Sequence, residues 1–98
     1  MAFSLDLPDP LSSEGWKVKI RDKERLEPPH VTIFHGRRVW RLGLRDRMFL
    51  IPPGGNWNQI DQRVRTAIES EATWRRLCDA WDRMYPTNPI SAVGDDHD

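Results

Sequence analysis

Several residues and patterns that would announce a function are missing from this chain. Only one of its 98 residues is cysteine, Cys78, which excludes an internal disulfide framework and fits a reducing compartment. No apolar run approaches the ~18 residues of a membrane span. The opening "MAFSLDLPDP" carries no basic residue ahead of its apolar positions, as a secretory signal would. These absences predict a cytoplasmic protein without membrane contact. Catalytic signatures are missing too. There is no Gly-x-Ser-x-Gly elbow, and "PPGG" lacks the lysine and hydroxyl of a phosphate-binding loop. Three histidines do not make a metal centre, because structural sites want about four convergent ligands. His30 and His35 lie five apart on one predicted strand and point to opposite faces, and His97 falls in the acidic C-terminal segment. No metal and no cofactor is expected.

What the chain does have is tryptophan. Five in so short a sequence supply large buried surfaces, about 150–250 Å² each, to a core with few leucines. It also has separated charge. Between Trp16 and Arg47 ten Lys or Arg stand against four acids, and the remaining segments carry five against eleven, so a net charge of zero divides into +6 and −6. Such separation steers a polyanion to one region.

The apolar pattern sets the fold class. "WKVKIR" alternates strictly, with Trp16, Val18 and Ile20 on one face and Lys17, Lys19 and Arg21 on the other, which is the pattern of a half-buried strand. After a charged loop, Pro28–Pro29 stiffen the entry to "HVTIF". Two strand-like runs flank "HGRR". With Gly36–Arg37 as a two-residue type II′ turn, His35 pairs with Arg38, Phe34 with Val39, Ile33 with Trp40, Thr32 with Arg41 and Val31 with Leu42. A slip of one residue would set Ile33 against Arg41, so the apolar pattern selects the first register. Arg45–Arg47 make a second turn into "MFLI", the expected fourth strand.

Asn56 with Gln59 three residues on forms a capping box, predicting a helix start near Trp57. Ile60, Val64, Ala67, Glu71, Trp74, Cys78, Trp81 and Tyr85 make a helical stripe with one violation, Glu71. A straight helix from Trp57 to Met84 would span about 42 Å, against a radius of gyration of about 13 Å for a domain of this size. A break near Glu69–Thr73 is therefore expected, and Pro86 ends the helix. The fold class is α+β: an antiparallel four-stranded meander with the C-terminal helix, kinked or split, packed on one face. Residues 1–14 read as a flexible lead-in, 15–85 as the single domain and 86–98 as a flexible acidic tail.

Nucleophilic and acid–base chemistry find little support. Cys78, between Leu77 and Trp81, reads as a small buried hydrophobe. His30 and His35 are the candidate catalytic residues, but neither has a placed partner, and each also reads as the cap of a strand end. The strongest feature is the outward sheet face. It presents Lys17, Lys19, Arg21, His30, Thr32, Phe34, Val39, Arg41 and Arg45, and no acid. Basic groups around an exposed aromatic suit single-stranded RNA, whose phosphates want charge and whose bases want a stacking platform. Lys17, Lys19, Arg21, Phe34, Arg41 and Arg45 are the candidate contacts. The competing readings are an ordinary solvated face and a non-enzymatic module docking an acidic protein.

The residues "EPPHVTI", the "WRLGLR" strand and "YPTNP" resemble a family of small bacterial proteins of unknown function with a Pro-Pro-His strand signature. Some of its members are taken to be toxins of toxin–antitoxin pairs. The resemblance covers residues 14–88 and is carried mainly by Pro28, Pro29 and His30. It implies a cytoplasmic bacterial protein that acts on RNA, as a binder or a toxin-like ribonuclease, or is bound by an antitoxin. A second histidine often follows two positions after the first in that family. Here Thr32 occupies the place, which departs from any paired-histidine chemistry.

Overall fold

The computed structural model describes residues 3–21, 27–51 and 53–90. Part of the charged loop (22–26) and the end of the expected acidic tail (91–98, with His97) lie outside the described residues.

Four strands form one antiparallel sheet in sequence order: β1 (Phe3–Leu5), β2 (Trp16–Ile20), β3 (His30–His35) and β4 (Arg38–Gly43). The central hairpin has the expected register from Val31↔Leu42 to His35↔Arg38. Of the two turn residues only Gly36 takes a positive φ, 61°, as the first position of a type II′ turn demands. β2 lies against β3 with Val18 opposite Ile33. Trp16, Val18, Ile20, Val31, Ile33, Trp40 and Leu42 are all buried on one face.

That face is closed by the helical half of the chain. Asn56 and Gln59 do form a reciprocal capping box, but it closes a single 3-10 turn, Trp57–Gln59. Asp61 then caps α1 (Gln62–Glu69), its side chain accepting from the Arg63 N–H. The helix breaks at Ser70, whose extended backbone (φ −60°, ψ 142°) ends α1 and whose hydroxyl accepts from the Thr73 N–H to start α2 (Glu71–Met84). The break accounts for the one flaw in the helical stripe, since Glu71 opens a new helix and is exposed. Ile60, Val64, Ile68, Trp74, Leu77 and Trp81 complete the core.

The fourth strand is not the expected one. Met48–Ile51 makes only one isolated bridge to β4, Leu42↔Phe49, closed on one side by the bond from the Leu50 N–H to the Arg41 carbonyl. A tight turn explains this. The Gly43 N–H bonds back to the Met48 carbonyl at 2.8 Å, Asp46 Oδ1 accepts from the Met48 N–H, and Arg47 sits in the left-handed region. The chain then leaves the sheet, and Ile51 is 87% exposed. The place is filled from the N-terminal side. Residues read as a loose lead-in supply β1, with Phe3 opposite Ile20 and Leu5 opposite Val18, and Leu5, Leu7 and Leu11 are buried. Residues 86–90, read as the start of the tail, are also anchored. The Ile90 N–H donates to Asp82, and Trp81 Nε1 donates to the Asn88 carbonyl at 2.8 Å.

Candidate nucleic-acid interface

Residues paired across a ladder share a face, so the register maps the outer sheet face directly. One row reads Lys17, Phe34, Val39, and the next reads Ser4, Lys19, Thr32, Arg41. Asp6, two residues beyond Ser4, continues β1 toward the first row. The face predicted as one basic surface divides in two.

One half is covered. His30 is 0% exposed and Thr32 1%, against the expectation that both face solvent. Alternation along a strand fixes which side a residue takes, not what lies over that side. Here Pro29 is itself fully buried, and Glu27 forms an ion pair with Arg41. Asn88 Nδ2 donates to the Glu27 carbonyl at 2.8 Å, pinning the segment after α2 beside this end of the sheet. The His30 ring lies 5.7 Å from that of Trp81. Its Nδ1 is 2.9 Å from the Pro28 carbonyl, and since a carbonyl only accepts, Nδ1 carries the proton. The other ring nitrogen is 3.9 Å from Glu27, whose carboxylate is engaged by Arg41. His30 thus holds the entry of β3 in place. Arg45 is committed as well: its guanidinium donates to the carbonyls of Pro89 (2.7 Å) and Ile90 (2.9 Å).

The other half is open. The side chains of Lys17, Lys19 and Arg21 form no hydrogen bond or ion pair with any of the described residues, and the Arg21 carbonyl accepts from the Tyr85 hydroxyl. Phe34, half-buried, lines with Lys17, Lys19, Gly15 and Gly36 a depression of about 410 Å³. A second depression of about 260 Å³ lies on the β1 side of the same two lysines, lined on its polar part by Ser4, Asp6 and Ser12. None of these three was picked out as a site residue from the sequence. The signal was present, because "FSLDL" alternates as "WKVKIR" does and places Ser4 and Asp6 on the lysine side.

The second histidine is elsewhere. His35 stacks on Trp16 with centroids 4.0 Å apart and planes at 7°, and Trp16 in turn lies 6.0 Å from Trp40. Cys78, half-buried, has its thiol pushed up by burial and by Asp82 and Asp79, the reverse of an activated nucleophile. Among the described residues no group of three or more His, Cys, Asp or Glu could hold a metal ion, and no helix is long and apolar enough to cross a membrane. No family model, curated protein or solved structure matches this chain.

Proposed function

We propose that this protein is a cytoplasmic single-stranded RNA binder that uses the open half of its outer sheet face. Lys17, Lys19 and Arg21 take phosphates, and Phe34 stacks a base. One observation carries the reading. Arg41 on the sheet and neighbouring Arg45 have side chains committed to internal partners, whereas the side chains of Lys17, Lys19 and Arg21, at alternate positions along β2 and just beyond it, engage none of the described residues. Successive same-face residues on a strand are about 6.6–6.8 Å apart, close to the phosphate spacing of an extended strand. The aromatic beside them supplies what a purely electrostatic surface lacks. Binding is favoured over ribonuclease action because His30 is fully buried, its ring 5.7 Å from that of Trp81, and a base without access to solvent has no route to a 2′-hydroxyl.

Fluorescence anisotropy with a labelled uridine 12-mer tests this. At low salt the protein associates, the complex weakens as salt rises, and the RNA is recovered uncut. No association at low salt overturns the proposal. If an acidic, antitoxin-like protein instead occupied Lys17 and Lys19, the surface would be a protein-docking module.

A further inference from the structure

An exposed carboxylate stands on the face proposed to bind a polyanion, and it needs a reason. Asp6 lies on the β1 side of Lys17 and Lys19 and forms no ion pair with either, nor with any other described residue. A carboxylate repels phosphate, so its usefulness to RNA is confined to groups that donate. The nucleobases differ sharply in this. Cytosine offers one amino group and adenine one amino group beside an acceptor, while uracil offers a single N–H. Guanine alone presents two adjacent donors, N1–H and N2–H, matched to the two oxygens of a carboxylate, with O6 alongside as an acceptor.

The second depression holds both halves of that complement. Asp6 supplies the acceptor pair, and the hydroxyls of Ser4 and Ser12, each able to donate, line the same space of about 260 Å³. Ser4 is fixed in position by its place opposite Lys19 in the β1–β2 ladder. The site shares Lys17 and Lys19 with the Phe34 depression, so one lysine pair holds the backbone between a stacking position and an edge-reading position. We propose that Asp6, with Ser4 and Ser12, reads the Watson–Crick edge of an unpaired guanine. This rests on the RNA-binding reading and adds base selectivity to it.

The test compares anisotropy titrations of a labelled uridine 9-mer with versions carrying one central guanine, adenine, cytosine or inosine. The wild type is expected to bind the guanine oligomer at least about tenfold more tightly than the others, the scale of a bidentate base contact. Inosine, which lacks the N2 amine, should lose most of that gain. Asp6→Asn should abolish the preference while binding the plain uridine oligomer as well as the wild type does, or better, since a repulsive charge is gone. Asp6 is exposed and outside the strands, so circular dichroism of the variant should match the parent. Salt-dependent binding of every oligomer with equal affinity overturns the guanine site and leaves the RNA reading standing, as does a guanine preference that survives Asp6→Asn. Binding to none of them removes the RNA reading itself.

Discussion

Trp40 sits where the sheet, the loop after it and the helical half meet. It is 2% exposed, stacks toward Trp16, donates from Nε1 to Gln59 Oε1 at 3.1 Å and carries Arg38 over its ring at 5.0 Å. Gly55, at φ 143°, lets the loop pass close by, for a Cβ there would lie 2.5 Å from Trp40 Cδ1. Trp40→Ala should cost about 3–5 kcal/mol, measured as a lower urea midpoint at unchanged slope. A variant as stable as the parent would deny this junction its energetic role. The burial of Trp40 was legible because Ile33, its partner, is apolar and any slip would oppose it to arginine. The burial of Thr32 was not. It sits at a polar parity, and its Oγ1 is buried without a hydrogen-bond partner among the described residues. Nothing in "HVTIF" states that this outward-parity position is closed from solvent.

Among the elements, the capping signals were readable but their consequences were not. The Asn56–Gln59 box marks a start, yet a cap alone does not set how far a helix runs. The length limit correctly demanded a break, and Ser70 supplies it with a hydroxyl that caps α2. β1 was missed although "FSLDL" alternates, because so short a run stands directly before Pro8 and Pro10, and "MFLI" misled because its apolar content resembles a strand while Arg47 and Asp46 shape a turn that ends pairing. Asp61 offers a test at this scale. Hydrogen bonds from the Arg63 side chain and backbone hold its carboxyl at about 2 rather than 3.8. A carboxyl depressed on folding stabilises the folded state above its unfolded value, and that contribution is lost as pH falls through the folded one. Asp61→Asn keeps a capping side chain but removes the charge. The melting temperature of the wild type should therefore exceed that of the variant at about pH 5, and the gap should close as pH falls from 3.8 toward about 2. A gap that stays constant over this range would mean the charge contributes nothing to the cap.

Across the whole molecule, the separation of +6 and −6 along the sequence proves a poorer guide than the state of each cation. The protein extends 45 Å along its longest axis, and exposed charges screen one another beyond about 8 Å at physiological salt. A polyanion therefore senses the local strip and not the net balance. Locally, the Arg41 and Arg45 side chains are already bound to Glu27 and to the chain after α2, whereas the side chains of Lys17, Lys19 and Arg21 have no such partners among the described residues. Each phosphate contact to a single strand contributes about 0.7 to the logarithmic salt slope, so three contacts give about −2. Lys17→Gln should lower the magnitude by about 0.7. Phe34→Ala should weaken binding by about 1–3 kcal/mol without altering the slope, since stacking releases no counterion. Arg45→Gln is the control that separates the two descriptions of the surface. If charge along the sequence governs binding, it should act like Lys17→Gln. If the state of each cation governs, it should leave the slope where it was, because its guanidinium stays with the carbonyls of Pro89 and Ile90. A slope that fell equally in both variants would return the interface to the undivided basic face that the sequence suggests.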